Sequence, residues 1–325
     1  MGLQERGDGL KQMAKIAFIF PGQGSQEVGM GADFHDHFDK AKALFESANE
    51  ILGYDLSRLC FEGPEEELRS TIHTQPALYV TSCVALAVLN DRITLKPFAY
   101  AGHSVGEYAA LHAAGAVSFE TGLKLVQKRA ELMQEATASS PGGMAAIIGM
   151  DTDEVKEICQ VTRSEGVIAV ANFNCPGQTV ISGEIEALRA ACEMAKSKGA
   201  KRVLPLSVSG AFHSPLMANS GDALYPYLRD AHFKNTLAPV VVNVTAEYCT
   251  SGVDFAPYLT MQLSGSVRWE ESMRLLISDG VDTFIEIGSG MVLAGLMKRI
   301  DRNVSVYSVR DTDSLEKTLA GLSVN

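Results

Sequence analysis

The chain has 325 residues, of which 46% are hydrophobic and 21% are charged. This balance provides enough apolar material for a large core and excludes a chain that is disordered along most of its length. The formal net charge of −11, from 28 basic and 39 acidic residues, argues against nucleic-acid binding, because that function needs a basic surface.

Residues 1–14 contain no apolar block and are predicted to be a flexible extension rather than a secretory signal. No apolar run reaches the about 18 residues that cross a bilayer. The six cysteines include no C-x-x-C pair, which favours free thiols in a reducing compartment. We therefore expect a cytoplasmic protein without a membrane partner, folded from residue 15.

The first folded segment alternates strands with helices. Short apolar runs that end at glycine or proline indicate buried strands, and longer periodic runs indicate helices. Strands are predicted at 16–20 and 98–101, and helices at 40–52, 76–89, 105–114 and 118–136. Strands separated by helices predict a parallel sheet covered on both faces.

The middle of the chain has a different order. Strands are predicted at 144–149, 167–171, 179–182 and 202–206, and helices at 152–161 and 185–198. This βαββαβ order is that of a ferredoxin-like unit. The sequence predicts a small domain, residues 140–207, inserted into an α/β core formed by 15–139 and 208–325.

The core then resumes with alternating elements. Strands are predicted at 240–244, 283–287 and 304–309, and helices at 255–263, 271–278 and 291–300. These strands extend the parallel sheet of the first segment.

The segment Gly102-His-Ser-Val-Gly106 fits the G-x-S-x-G nucleophile elbow between a predicted strand and a predicted helix. So tight a turn strains the backbone of the central residue, and side chains at both glycine positions would collide with neighbouring backbone. Ser104 is predicted to be a nucleophile at a helix N-terminus, where the N–H of Val105 favours negative charge. The alternative is a turn in which Ser104 only caps the helix.

His213 is the histidine with the best context for a catalytic base. It follows a predicted strand and directly precedes Ser214-Pro215, which fit the N-cap and the first helical position. Open α/β sheets place functional groups on such loops. The alternative is an exposed histidine before a helix. The pair His35 and His37 lacks a third ligand, so no metal site is predicted.

Arg129 lies on the inner side of the predicted helix 118–136. Its position falls beside a stripe of apolar residues at helical spacing. The stripe consists of Phe119, Leu123, Val126, Ala130 and Met133. A buried guanidinium needs an anion or several acceptors. A protein carboxylate and a substrate carboxylate, which arginine can bind bidentately, both fit this requirement.

A glycine-rich segment, Pro21-Gly-Gln-Gly-Ser-Gln26, follows the first strand at the same sheet edge as the elbow. Its backbone N–H groups could complete an oxyanion hole, with a plain turn as the alternative.

Seven segments, in this order, resemble those of malonyl-CoA:acyl carrier protein transacylases, the acyltransferases of type II fatty-acid synthesis. The resemblance extends from about residue 15 to the end of the chain. The segments are Phe20-Pro-Gly-Gln-Gly-Ser-Gln26, Gly102-His-Ser-Val-Gly-Glu-Tyr108, Gln127-Lys-Arg-Ala-Glu-Leu-Met133, Ala171-Asn-Phe-Asn-Cys-Pro-Gly-Gln178, Ala211-Phe-His-Ser-Pro-Leu-Met217, Gln262-Leu263 and Ile285-Glu-Ile-Gly-Ser-Gly290.

The resemblance implies an α/β-hydrolase-like core with a ferredoxin-like insert. It implies transfer of a malonyl group from malonyl-CoA to the phosphopantetheine thiol of acyl carrier protein through a malonyl-serine, in fatty-acid biosynthesis, with no metal or other cofactor. In this family Ser104 is the expected nucleophile and His213 its base. Gln23 and Val105 are the expected backbone oxyanion donors, although many relatives carry leucine at the position of Val105. Arg129 is the expected clamp for the malonyl carboxylate.

The resemblance also implies that the backbone carbonyl of Gln262 orients the histidine, and that Asn172, Asn174 and Phe212 border the site. His103 receives no role. A serine hydrolase of the thioesterase type and a non-catalytic carrier-protein docking module remain alternatives, and we expect a monomer.

The carrier protein of this family is acidic, as is this chain, so docking requires a local basic patch. Lys298 and Arg299, at the end of the predicted helix 291–300, are the first candidates. Lys196, Lys198, Lys201 and Arg202, on the predicted insert, are the second.

Overall fold

The computed structural model describes residues 14–208 and 210–324, which form an α/β protein with two sheets. Apart from Ala14, the extension predicted for residues 1–14 lies outside the described residues. In chain order, the strands are β1 (Ile16–Phe20), β2 (Ala99–Gly102), β3 (Gly142–Ile148), β4 (Ile168–Cys175), β5 (Gln178–Glu184), β6 (Arg202–Pro205), β7 (Val240–Val241), β8 (Tyr248–Cys249), β9 (Thr283–Ile287) and β10 (Ser305–Val309).

The helices surround both sheets. They are α1 (Ala32–His37), α2 (Asp39–Leu52), α3 (Leu56–Glu62), α4 (Glu65–Leu68), α5 (Thr71–Arg92), α6 (Gly106–Ala113), α7 (Phe119–Ser139), α8 (Thr152–Thr162), α9 (Ile185–Ser197), α10 (Ala218–Asp230), α11 (Gly252–Ser264), α12 (Trp269–Ser278), α13 (Val292–Ile300) and α14 (Thr312–Val324). Short 3-10 turns occupy Arg163–Glu165 and Pro215–Met217.

The larger sheet has the strand order β10-β9-β1-β2-β7-β8. Neighbouring strands are parallel except for the last pair, β7 and β8. Because β1 and β2 are parallel and Phe20 pairs with Gly102, the turns that follow these two strands meet at one edge of the sheet.

Both faces of the larger sheet are covered, as predicted. The alternation of side chains along β1 sends Phe18 and Phe20 into a core that contains residues of α2, α5 and α7. The same alternation sends Ala17 and Ile19 to the opposite face, into a core with residues of α12 and α13.

The smaller sheet is antiparallel, with the strand order β4-β5-β3-β6. Apolar residues of α8 and α9, among them Ile158 and Ala191, share one core with its strands. The sheet meets the rest of the protein near β4, where Phe173 N–H donates to Val267 O and Val267 N–H donates to Ala171 O.

Several elements differ from the prediction. The predicted strand 240–244 is only Val240–Val241, because the chain turns at Val242, whose carbonyl accepts a hydrogen bond from the N–H of Ala246. The predicted helix 76–89 begins five residues earlier, at Thr71, so Pro76 lies inside it rather than at its first position. The helix predicted to begin at Pro215 is a 3-10 turn, Pro215–Met217, which leads into α10. Helices α1, α3, α4 and α14 were not predicted.

Helix α5 is long and apolar enough to cross a membrane by length and composition. Most of its apolar window is buried in the fold, which is also how the central helix of a globular core appears.

Candidate active site

The turn between β2 and α6 holds Ser104 in a left-handed backbone conformation, with φ of 53°. A Cβ at Gly102 would lie 2.0 Å from the backbone of Gly106, and a Cβ at Gly106 would lie 2.3 Å from Phe20 O. Glycine is required at both positions because backbone segments approach too closely for any side chain. The strained serine and the collisions at both glycines agree with the elbow prediction.

His213 lies directly against the side chain of Ser104. The distance between Ser104 Oγ and His213 Nε2 is 2.7 Å. His213 Nδ1 faces two backbone carbonyls, those of Gln262 at 2.8 Å and Gly265 at 3.2 Å. Since carbonyl oxygens only accept, Nδ1 carries the proton and Nε2 is free to accept the hydrogen of Ser104.

The imidazole of His213 is 4% exposed. Burial, together with the smaller effect of the nearby guanidinium of Arg129, lowers its pKa to about 3. His213 is therefore neutral near pH 7, which is the form a general base needs.

The guanidinium of Arg129 is buried, with 1% exposure, and points at the same serine. Nη2 donates to Ser104 Oγ and to Gln262 Oε1, each at 3.0 Å, and Nη1 donates to Gln75 Oε1 at 2.5 Å. These acceptors are all neutral, and Nε has no acceptor among the described residues. Direct pairing with a protein carboxylate, the structural alternative, is thus not what holds Arg129, and its charge is available to an anion beside Ser104.

One pocket collects most of the predicted site residues. Its polar lining comprises Gln23, His103, Ser104, Arg129, Asn172 and His213, and its apolar lining comprises Val105, Met133, Met144, Leu206, Val208 and Phe212. The backbone N–H groups of Gln23 and Val105 donate to no acceptor among the described residues. Two N–H groups without acceptors in the pocket of a nucleophile can serve a developing oxyanion.

Asn174 and Gln262 lie behind this pocket. Asn174 Oδ1 is 3.0 Å from His103 Nε2, so this contact joins β4 of the smaller sheet to the elbow. The His103 ring also packs edge-on against Trp269, and burial lowers the pKa of His103. Gln262 places its backbone carbonyl at His213 and its side chain at Arg129.

Lys298 and Arg299 are outside the pocket, at the exposed end of α13. The guanidinium of Arg299 donates to Pro176 O in the turn between β4 and β5 and to Gln178 Oε1 at the start of β5, both at 3.1 Å. In the part of the chain that the structure describes, no group of three His, Cys, Asp or Glu residues could hold a metal ion.

Sequence reasoning missed two polar residues that support the elbow. Asn243 Oδ1 accepts the N–H of Ser104 at 2.8 Å, and Asn243 Nδ2 donates to Gly102 O at 2.7 Å. Glu107, which is 1% exposed, accepts from Asn243 N–H and from Gln262 Nε2. Both carried a signal, since Glu107 is a lone charge in an apolar helix and Asn243 interrupts a run of valines.

The profile of the acyl transferase domain family matches residues 17–313. The chain is 45% identical over 311 residues to malonyl CoA-acyl carrier protein transacylase of Bacillus subtilis. The matched region covers 95% of this chain and 98% of that protein. It is 42% identical over 305 residues to the protein of that name from Staphylococcus aureus, with 94% and 98% covered.

Solved structures of malonyltransferases are also similar to this chain. The acyl carrier protein S-malonyltransferase of Vibrio cholerae is 40% identical with a TM-score of 0.91, over 94% of this chain and 100% of that one. The malonyl-transacylase solved in complex with a type II PKS acyl-carrier protein is 41% identical with a TM-score of 0.92, over 96% and 100%.

Proposed function

This chain belongs to the acyl transferase domain family, and we propose that it transfers a malonyl group from malonyl-CoA to acyl carrier protein through a malonyl-Ser104 intermediate. The observation that carries the proposal is the convergence on one atom, Ser104 Oγ, of a neutral base at 2.7 Å and a buried guanidinium at 3.0 Å. A hydrolase of simple esters has a use for the base but none for the guanidinium.

The first half-reaction acylates the serine. His213 Nε2 takes the proton of Ser104 Oγ as the oxygen attacks the thioester carbonyl, forming the C–O bond of a tetrahedral intermediate. The carbonyl of Gln262 stabilises the imidazolium through Nδ1–H. Collapse breaks the C–S bond, and coenzyme A leaves as a thiol with the proton from His213.

The second half-reaction follows the same path in reverse. The phosphopantetheine thiol of acyl carrier protein gives its proton to His213 and attacks malonyl-Ser104, and Ser104 recovers the proton when the ester breaks. In both halves the oxyanion lies on the N–H groups of Gln23 and Val105, which we propose as the two donors.

The buried charge of Arg129 accounts for the proposed preference for an acyl group that carries a carboxylate. Its guanidinium is buried among neutral oxygens, and a buried cation gains most from an anion that enters the pocket with the substrate. Asn172 and Phe212 form part of the wall around the acyl group, and Asn174 supports that wall through His103.

We also propose that the chain is divided into a core and an insert. We assign an α/β-hydrolase-like core to residues 15–139 and 208–325 and a ferredoxin-like insert to 140–207. The antiparallel order β4-β5-β3-β6 with α8 and α9 in one shared core supports the second assignment. The elbow between a parallel strand and a helix supports the first.

We further propose a cytoplasmic monomer that uses no metal or cofactor beyond its substrates and has no nucleic-acid or membrane partner. The six cysteines are free thiols, five of them buried, which supports a reducing compartment. The net charge of −11 supports the absence of a nucleic-acid partner.

The test is mass spectrometry of the intact protein after brief exposure to malonyl-CoA. We expect one malonyl adduct on the wild type and none on Ser104→Ala. Added acyl carrier protein bearing phosphopantetheine should remove the adduct, whereas the same protein without phosphopantetheine should not. An adduct that disappears equally fast in buffer alone would establish a hydrolase, and a wild type without any adduct would indicate a non-catalytic docking module.

A further inference from the structure

We propose that Glu107 is a positioning residue for acylation: its carboxyl group fixes Asn243 and Gln262, the two residues that hold the peptide groups on either side of Ser104. The inference rests on the proposed role of Ser104 as nucleophile. It adds a side chain that touches neither the substrate pocket nor Ser104 Oγ and acts only through its two neighbours, whereas the backbone N–H of Glu107 donates to Ser104 O at 3.0 Å whatever side chain stands there.

Ser104 needs such support because its backbone is in the left-handed region, with φ of 53°, where a residue with a Cβ is disfavoured. Its N–H donates to Asn243 Oδ1 at 2.8 Å, and its carbonyl accepts from Gln262 Nε2 at 3.0 Å. Strained conformations persist only where the surroundings over-determine them. Asn243 and Gln262 therefore form a clamp around the peptide groups of Ser104.

One oxygen of Glu107 joins the two halves of this clamp. Oε2 accepts from the N–H of Asn243 at 3.0 Å and from Gln262 Nε2 at 2.8 Å. Asn243 follows β7 and Gln262 lies on α11, so a carboxyl group on α6 ties three separate segments together. All three residues are buried, so loss of the accepting oxygen would leave two buried donors unsatisfied.

Gln262 also connects this clamp to His213 and Arg129. Its backbone carbonyl accepts from His213 Nδ1, and its Oε1 accepts from Arg129 Nη2. The side-chain amide of Gln262 separates Glu107 from Arg129, so the carboxyl group orients the guanidinium without pairing with it directly. Gln262 Nε2 donates to both Glu107 Oε2 and Ser104 O, so the carboxyl group fixes the same amide that contacts the nucleophile and, through Oε1, the guanidinium.

The hydrogen bonds from Asn243 and Gln262 require an accepting oxygen on Glu107, and they do not require its negative charge. Burial raises the pKa of Glu107 to about 7, against smaller opposing effects of the bonds from Gln262 and Asn243 and of the Arg129 charge. A protonated carboxyl keeps one oxygen that accepts. Glutamine at this position has the same reach and also presents an accepting oxygen, whereas aspartate keeps the charge but is one methylene too short.

The experiment is single-turnover loading of Ser104 from excess malonyl-CoA and, separately, acetyl-CoA, followed by rapid quench and intact mass. The final adduct per chain gives the fraction of competent protein, and the rate constant gives the chemistry of each competent molecule. We expect Glu107→Gln to stay within about threefold of the wild-type rate constant and Glu107→Asp and Glu107→Ala to fall at least ~10-fold, equally for both acyl groups. Each variant should still reach one adduct per chain.

Glu286 provides the matched control. It is a carboxyl at 0% exposure that accepts two backbone N–H groups, from Leu293 and Ala294, and burial raises its pKa to about 7 as well. It lies on β9, outside the pocket, so Glu286→Ala should lose stability and keep the wild-type rate constant for loading.

Three outcomes would overturn the positioning role: a wild-type rate constant in Glu107→Asp, a reduced adduct formed at the wild-type rate, or a loss confined to malonyl-CoA. The first two would make Glu107 merely structural, and the third would place its effect on Arg129 alone. If Glu107→Ala does not fold, the comparison of Glu107→Gln with Glu107→Asp decides the matter. Failure of the wild type to load would refute the proposed function instead.

Discussion

Arg129 and His213 are coupled because both contact Ser104 Oγ. The guanidinium donates to the oxygen while the imidazole accepts from it. The same cation lowers the pKa of His213. A bound malonyl carboxylate would neutralise part of that charge, which makes His213 a stronger base when the correct substrate is present.

Replacement of Arg129 should reverse the acyl preference. In Arg129→Ala, malonyl loading of Ser104 should fall at least ~10-fold, because a buried charge-assisted pair contributes about 1.5–3 kcal/mol. Acetyl loading should hold or rise, since acetyl has no carboxylate to lose. The measurement is kcat/KM for both thioesters, and an equal fall for the two would mean that Arg129 has a structural role.

The depressed pKa of His213 predicts activity in mild acid. The base loses function only when it is protonated, so loading should stay constant from about pH 8 to about pH 5, well below the usual histidine pKa of about 6.5. The lowered pKa of His213 also contributes to the free energy of unfolding. This contribution is present above pH 6.5 and is lost as pH falls towards the folded pKa of about 3. Acetyl-CoA is the substrate to use, because its acyl group does not titrate, and an inflection near pH 6.5 would refute the assignment.

Serine and histidine should act as one unit. Ser104→Ala and His213→Ala should each abolish most transfer, and the double variant should be little slower than either single one, because each group needs the other. Transfer rates of the three variants decide this, and additive losses would contradict the pair.

At the scale of elements, the turn after β2 could be predicted because its whole signal is local. Strand, glycine, serine, glycine and helix follow one another within about ten residues, and backbone sterics fix the result. The partners of that turn could not be predicted. Asn243 is 139 residues from Ser104 and Gln262 is 158 residues away, and local periodicity says nothing about which distant side chains meet.

Gly106→Ala tests how closely α6 packs against the larger sheet, and Gly295→Ala on α13 is its control. At Gly106 the new Cβ would lie 2.3 Å from the backbone oxygen of Phe20, which cannot yield. At Gly295, on the exposed face of α13, a Cβ meets nothing within 4 Å. We expect Gly106→Ala to lower the free energy of unfolding by about 3 kcal/mol or more, and Gly295→Ala to raise it by about 0.5–1 kcal/mol. Urea unfolding measures both, and similar effects at the two sites would contradict the packing.

At the scale of the whole molecule, composition and periodicity predicted a parallel sheet with helices on both faces, and the structure has this architecture. They could not predict the order β10-β9-β1-β2-β7-β8, because order depends on which distant strands pair. The convergence of β1, β2 and the segment after β7 at one edge is what assembles a site from residues scattered between positions 23 and 262.

Docking of the carrier protein is a property of the whole surface. A chain with net charge −11 repels an acidic partner at long range, so association needs a local cation. Lys298 is exposed, whereas Arg299 is also bonded to the turn between β4 and β5, so Lys298→Glu changes charge without breaking that contact. We expect it to raise the apparent KM for acyl carrier protein severalfold and to leave Ser104 loading from malonyl-CoA unchanged. Added salt should weaken binding of acyl carrier protein to the wild type in the same way, because exposed charges are screened within about 8–10 Å.

Lys96→Glu is the control, since this exposed lysine precedes β2 and so lies at the sheet edge opposite Ser104. An equal effect of both variants would reduce docking to net charge, and an unchanged KM in Lys298→Glu would move the docking surface to Lys196, Lys198, Lys201 and Arg202.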